Sequence, residues 1–94
     1  MRLRFWIDPE TGVPHIYGHA VTETEVRQVL SRPRLSYSQG ERTRIVFGQT
    51  SAGRPLKVVF VPDDIAESGF VVTAYELRGK ALKAYRRAMR RNRR

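Results

Sequence analysis

The sequence predicts a small single α+β domain: an antiparallel sheet of about four strands, N-terminal helices and a basic C-terminal helix. A helix-capping pattern near residue 22 precedes apolar residues at helical spacing. Several apolar runs are separated by turns that contain glycine or proline, and the last segment mixes apolar and basic residues at helical intervals. With 94 residues, 40% hydrophobic and 29% charged, the chain suits one globular domain and not a disordered segment.

The first elements are a strand, a turn and a short helical turn. Leu3–Ile7 reads as the strand, and the Pro- and Gly-containing residues 8–12 form the turn. Pro14 is suited to the start of a short helical turn over His15–Gly18, because its fixed φ matches a helix.

The best-supported helix spans residues 22–31. Thr22 and Glu25 have the spacing of a capping box, in which each side chain satisfies the other's backbone N–H. Apolar residues then recur at i, i+3 and i+4, and Pro33 ends the helix.

The middle of the chain predicts a polar loop and a hairpin. Residues 36–43 are polar and read as the loop. Arg44–Gln49 and Leu56–Val61 are strands, joined by a turn over 50–54 in which Gly53 suits a positive φ. The nearly continuous apolar run of Leu56–Val61 is typical of a central strand.

A loop, a strand and a helix complete the chain. Residues 62–68 form the loop and Gly69–Tyr75 the strand. One helical face then holds the apolar residues Leu77, Ala81, Leu82, Ala84, Tyr85, Ala88 and Met89. We expect a single domain over 1–88, followed by an Arg-rich tail, 89–94, whose order the sequence leaves open.

The net charge of +9 lies entirely in the C-terminal segment. Residues 1–77 contain nine basic and nine acidic side chains, so their charges cancel. Residues 78–94 contain no acid and nine bases: Arg78, Lys80, Lys83, Arg86, Arg87, Arg90, Arg91, Arg93 and Arg94. Such a field favours a polyanion, an acidic partner or a membrane surface, although a merely solvated basic helix is the plain alternative.

Composition excludes several classes of function. The chain has no cysteine, so it has no disulfide framework, Cys-ligated zinc site or thiol nucleophile. No apolar run approaches the ~20 residues that cross a bilayer, and the first residues lack the apolar stretch of a signal peptide. We therefore expect a cytoplasmic protein.

Four segments, taken in order, resemble a known family. They are 6–9 (WIDP), 18–26 (GHAVTETEV), 47–59 (FGQTSAGRPLKVV), and 70–75 (FVVTAY) with Tyr85-Arg86-Arg87. Together they are similar to the "W-D-P", "K-H-G-V-(S/T)-x-E-E", "G-x-T-x-x-G-R-x-L-x-V-V" and "I-(S/T)-A-R … E-R-R-x-Y" segments of BrnT-type toxins in the RelE-like ribonuclease superfamily. The likeness covers roughly residues 5–90. Two of the family's basic positions are Gly18 and Tyr75 here.

The resemblance implies a RelE-like toxin that binds RNA and cleaves messenger RNA without a metal or other cofactor, in a bacterial toxin–antitoxin pair. Its partners are RNA and an antitoxin protein, and the expected state is a monomer or weak homodimer without a membrane. The candidate catalytic residues are His19, Arg54, Tyr75 and Tyr85. The candidate RNA-backbone residues are Lys80, Lys83, Arg86, Arg87 and Arg90.

Each catalytic candidate has a structural alternative. His19 is the best acid–base candidate by residue type, but it is also placed to cap or pack beside helix 22–31. Arg54 can grip a phosphate or simply occupy a wet turn. Tyr75 can stack on a base or pack in the core, Tyr85 shares an apolar helix face, and Glu76 is a base or a salt-bridge partner.

Three other interpretations of function remain open. His15 lies four residues before His19, a spacing that also suits a metal, but no third ligand is near in the sequence. A non-catalytic nucleic-acid-binding module would use the same fold and tail without the chemistry. A basic amphipathic helix can also bind an anionic membrane, although its apolar face is small and rich in alanine.

Overall fold

The structure, a computed structural model, describes residues 2–65 and 67–91 as five strands, one 3-10 helix and two α-helices. The strands are β1 (Arg2–Phe5), β2 (Leu35–Gln39), β3 (Thr43–Gln49), β4 (Pro55–Pro62) and β5 (Ser68–Glu76). The helices are the 3-10 helix (His15–His19), α1 (Glu23–Ser31) and α2 (Gly79–Arg91). The predicted α+β class is confirmed.

The strands form one mixed sheet in the order β1-β5-β4-β3-β2. The pairs β2–β3, β3–β4 and β4–β5 are antiparallel, whereas β1 lies at the edge and runs parallel to β5, with Phe5 opposite Val71. The prediction of a four-stranded antiparallel sheet is therefore wrong in strand number and in the direction of β1. The direction was missed because the composition of a short edge strand predicts that it is a strand, but does not indicate whether it pairs in the parallel or the antiparallel direction.

The predicted loop over 36–43 is wrong, because residues up to Gln39 belong to β2, which pairs with β3. β2 is a sheet edge whose serines and glutamine face solvent, so its polar composition resembled a loop. Its two apolar residues, Leu35 and Tyr37, alternate with serines and lie opposite Phe47 and Ile45.

The capping box is confirmed. The Glu25 N–H donates to Thr22 Oγ1 at 3.1 Å, and the Thr22 N–H donates to Glu25 Oε1 at 3.0 Å. The helix that begins there buries Val26 and Val29 completely against β3 and β4. Reciprocal capping thus fixes where α1 starts, and burial of its apolar face fixes how it lies on the sheet.

The main core lies between α1 and one face of the sheet. It includes Val46, Leu56, Val58 and Val71, all buried. The helix approaches β3 closely at Gly48, where a Cβ would lie 3.1 Å from Val29 Cγ1. Glycine at this position allows that approach without a clash.

The second helix, α2, lies on the opposite face. Side chains alternate along β3, so Phe47 points away from α1. Its ring lies 6.4 Å from the ring of Tyr85, which is 5% exposed and is the buried anchor of α2. The helix includes Met89, Arg90 and Arg91, the first half of the predicted tail, and the rest of that tail lies outside the described residues.

Candidate functional site

Four aromatic rings form a continuous row on the molecular surface, which we call the aromatic strip: Trp6, His15, His19 and Tyr75. Successive ring centroids are 5.1, 5.0 and 5.8 Å apart, and each pair meets edge to face. Trp6 and His19 are exposed, whereas His15 and Tyr75 are half-buried. Residues far apart in the sequence therefore present one ring-lined surface.

Backbone hydrogen bonds hold the strip in place. The Trp6 N–H donates to Val71 O of β5 at 2.9 Å, and the His15 N–H donates to Trp6 O at 2.8 Å. The 3-10 helix that follows carries His15 and His19 on one side, which is what the predicted helical turn implied. Ala20, with a φ of 57°, caps the end of this helix. The strip is thus attached to β5 through ordered backbone and not through a free loop.

The histidine pair lacks the ligands of a metal centre. Within 2–65 and 67–91, no group of three or more His, Cys, Asp or Glu side chains is arranged to hold a metal ion. His15 Nδ1 is buried without a hydrogen bond among the described residues and lies 3.5 Å from Asp8 Oδ2. This separation suits a charge contact if the imidazole is protonated.

A groove of about 590 Å³ opens beside His19 at the carboxyl end of β5. Its lining residues are Gly18, His19, Ala20, Tyr75, Glu76 and Arg78. An imidazole, a phenol, a carboxylate and a guanidinium therefore surround one cavity. The guanidinium can bind an anion, and the other three groups can donate or accept hydrogen bonds at a bound ligand.

Arg54 lies beside this groove as the centre of an ion-pair cluster. Its Nε donates to Glu76 Oε1 at 2.6 Å, and its Nη1 donates to Glu25 Oε1 at 3.0 Å and Oε2 at 3.1 Å. The same Nη1 also donates to Ala20 O at 2.7 Å. The guanidinium therefore ties the hairpin turn to α1, to the end of the 3-10 helix and to β5.

The cluster changes the proton affinity of Arg54 and Glu25. The hydrogen bond to Glu76 raises the pKa of Arg54 above its ordinary value, and Glu25 adds to that effect. Burial alone would raise the pKa of Glu25, but hydrogen bonds from Thr22 and Arg54 outweigh burial, so this pKa lies below its ordinary value. Both groups are therefore charged at neutral pH, and the carboxylates already compensate the arginine.

A row across the sheet connects the aromatic strip to α2. Tyr75, Lys57 and Phe47 are cross-strand neighbours on the face that α2 covers, and Lys57 Nζ lies 5.6 Å from the centre of the Tyr75 ring. Phe47 in turn contacts Tyr85. Tyr75, the last ring of the strip, therefore lies on the same face of the sheet as Phe47, which contacts Tyr85 of α2.

The Tyr85 hydroxyl is buried and has no hydrogen-bond partner among the described residues. Burial raises the pKa of this phenol, and the charge of Arg34 acts in the opposite direction. These surroundings are those of a packing residue. The catalytic role of Tyr85 stays a prediction.

The exposed side of α2 carries six cations, which we call the α2 cations: Lys80, Lys83, Arg86, Arg87, Arg90 and Arg91. Among the described residues, no carboxylate lies within ion-pair distance of any of them. The acidic side chains in ion pairs belong instead to the body of the domain. Five of these cations are the predicted backbone-binding residues, and their charge is unneutralised within this part of the chain.

The structure brings together two of the four predicted catalytic residues, His19 and Tyr75, at the groove. Arg54 and Tyr85 lie outside its described lining, one in the ion-pair cluster and the other under α2. Lys57 was overlooked by sequence reasoning as a site residue. A lone lysine within the apolar run of β4 was the available signal.

Comparison with known proteins gives one match. A family model described as a domain of unknown function (DUF4258) matches residues 19–76, which run from His19 to Glu76 and include the ion-pair cluster. No curated protein and no solved structure matches the chain. Within the described residues, none of the helices combines the length and apolar character needed to cross a membrane.

Proposed function

The chain belongs to the DUF4258 family, and we propose that this member is an RNA-binding protein of RelE-like type, with α2 gripping the phosphate backbone. The observation that carries the proposal is the α2 cations, which are exposed and have no carboxylate within 4.0 Å among the described residues. Uncompensated cations on one surface are the electrostatic footprint of a polyanion-binding protein. The toxin role, the antitoxin partner, the RelE-like topology and the cytoplasmic location belong to the same proposal.

The charge of α2 favours phosphate over an anionic membrane. A membrane-binding helix uses its apolar face to enter the lipid. In α2 that face carries Tyr85, which is buried against the domain, and the remaining apolar residues are mostly alanines. The face available to a partner is therefore almost purely cationic.

The experiment compares two pairs of arginines with the same change of charge. Arg86→Gln with Arg87→Gln alters α2, and Arg42→Gln with Arg44→Gln alters the far side of the sheet as a matched control. RNA affinity is measured at several salt concentrations. Each lost phosphate contact on a single strand should lower the salt slope by about 0.7, so the α2 pair should lower it by about 1.4 and the control pair by close to zero. Equal slopes for both pairs would contradict the proposal.

In the catalytic form of the proposal, the protein also cleaves the RNA that it binds, and the residues around the groove support this form. Metal-free cleavage needs a base for the 2′-OH, an acid for the leaving 5′-oxygen and a cation near the phosphate. His19, Glu76 and Arg78 offer these classes of group around one cavity. A non-catalytic module is the alternative, favoured by the engagement of Arg54 with two carboxylates.

The two forms are separated by His19→Ala in the presence of EDTA. For the catalytic form we expect cleavage of a defined messenger RNA to be lost at protein concentrations at which the variant still binds all of the RNA, because the α2 cations that hold the backbone are unchanged. Tyr37→Ala, an exposed aromatic on β2 far from the groove, is the control. Binding without cleavage by the wild-type protein supports the non-catalytic module.

A further inference from the structure

We infer that the aromatic strip is a stacking platform for unpaired bases, which makes single-stranded nucleic acid the preferred ligand. This inference rests on the proposed RNA-binding function and names its substrate class. Its starting point is Trp6, the only tryptophan of the chain, whose side chain is 41% exposed although many smaller residues are buried. A large ring left at the surface and fixed by backbone hydrogen bonds is available to a ligand.

The contacts within the strip leave ring surface free. Each pair of rings meets edge to face, at interplanar angles of 65°, 83° and 61°. An edge covers less of a neighbouring ring than a parallel stack does, and both Trp6 and His19 are exposed. Planar bases can therefore lie on the rings without displacing them.

The position of the strip relative to the cations suits a single strand. Tyr75 and Lys57 continue the strip toward Phe47, and α2 lies on Phe47 through Tyr85. A strand can thus place bases on the strip and phosphates near Lys57 and α2. Stacking on aromatic side chains beside a basic groove is how sequence-tolerant single-strand binding works.

A duplex would contact the α2 cations but not the rings of the aromatic strip. Its bases are stacked inside the helix and cannot reach exposed rings, whereas its phosphates are fully available to the α2 cations. A protein that uses charge alone would bind duplexes at least as well as single strands. If the protein prefers single strands to duplexes, that preference therefore comes from stacking on the rings and not from the charge of α2.

Exposed Ile7 and Val13 lie close to Trp6 along the chain, at 50% and 41% exposure. Together with Trp6 they form an apolar patch, and the alternative is that this patch binds a protein. A protein ligand would need an acidic segment beside its apolar one to use the α2 cations as well, whereas every nucleotide of a nucleic acid carries both a base and a phosphate, so the two neighbouring surfaces favour nucleic acid. The experiment below distinguishes the two.

The test uses the fluorescence of Trp6 in the full chain, titrated with single-stranded oligouridylate and oligoadenylate of about ten nucleotides, a length that suits such grooves. A duplex of the same length, and single-stranded DNA, complete the set. We expect saturable quenching by the single strands, RNA or DNA, and no quenching by the duplex. Since the protein has one tryptophan, any quenching comes from the strip.

Variants are compared through the anisotropy of labelled single-stranded RNA. Trp6→Leu should weaken binding about 5- to 150-fold, the range for loss of one base–aromatic stack, and Trp6→Phe should retain most of the affinity. Tyr37→Leu is the control, because it removes a ring that is 52% exposed, lies outside the strip and contacts the Phe47 ring at a centroid distance of 5.9 Å; it should weaken binding far less than Trp6→Leu does.

The outcomes separate this inference from the proposed function. If single strands and duplexes bind alike, Trp6 is not quenched and Trp6→Leu has no effect, then the inference is overturned while RNA binding through α2 stands; Trp6 is then a candidate for protein docking. If no nucleic acid binds at any salt concentration, both the inference and the proposed function are overturned.

Discussion

Replacement of Arg54 should destabilise the whole domain. Arg54→Ala removes a guanidinium that bonds Glu25, Glu76 and the carbonyl of Ala20, and it leaves two carboxylates facing each other without a cation. The side chains of the three charged residues are 23%, 23% and 32% exposed, so solvent screens the cluster only in part. Exposed ion pairs contribute about 0–1 kcal/mol, whereas breaking a buried pair costs about 3–5 kcal/mol. We therefore expect a loss of about 2–4 kcal/mol.

This loss is large for a domain of this size. Small domains are stable by about 5–15 kcal/mol, and each kcal/mol shifts Tm by about 4–8 °C. The measurement is thermal and urea unfolding followed by circular dichroism. Arg42→Ala is the matched control, because its contact with Asp64 spans 3.7 Å between side chains that are 70% and 96% exposed. It should cost less than about 1 kcal/mol.

A second variant tests the cause. Adding Glu25→Gln and Glu76→Gln to Arg54→Ala removes the unpaired charges, so part of the lost stability should return. If Arg54→Ala destabilises no more than Arg42→Ala, the cluster is not a structural centre and the reasoning is refuted. The result also governs the catalytic prediction for Arg54, because activity lost through unfolding says nothing about chemistry.

Three further perturbations concern stability. Tyr85→Phe removes a buried hydroxyl that has no partner among the described residues, so urea unfolding should show unchanged stability or a gain of about 1 kcal/mol; a clear loss would reveal a hydrogen bond. The pKa of Glu25 lies below its ordinary value of 4.5, so its contribution to the free energy of unfolding is complete above pH 4.5 and is lost as the pH falls below that value. In a plot of unfolding free energy against pH, Glu25→Gln should therefore reduce the fall at acid pH. Gly48→Ala forces a Cβ to 3.1 Å from Val29 Cγ1 and should cost about 1–3 kcal/mol, whereas Gly18→Ala, with nothing within 4 Å, should cost little in the same assay.

Local signals in the sequence predicted the elements that local interactions determine. The capping box of Thr22 and Glu25 needs only residues within one helical turn, and it formed as expected. The turn between β3 and β4 likewise follows from Gly53, which has a φ of +87°. β2 was missed because a solvated edge strand needs few apolar residues, and only the alternation of Leu35 and Tyr37 with serines indicated it.

The candidate site was predicted less completely, for a different reason. His19 and Tyr75 could be chosen by residue type and resemblance, and they do lie together. The engagement of Arg54 by two carboxylates could not be predicted, since Glu25 and Glu76 lie 29 and 22 residues from it in the sequence. Long-range ion pairs of this kind depend on the sheet order, which local patterns do not contain.

The direction of β1 decides where the site forms. Because β1 runs parallel to β5, the chain leaves β1 toward the carboxyl end of β5, and the 3-10 helix that follows contacts β5 there. Trp6 and His19 consequently reach the end of the sheet that carries Tyr75 and Glu76. An antiparallel β1 would send the same residues toward Ser68, at the opposite end, and would separate them from α2. The parallel edge strand, which the sequence did not reveal, therefore brings Trp6 and the two histidines to the groove at the carboxyl end of β5.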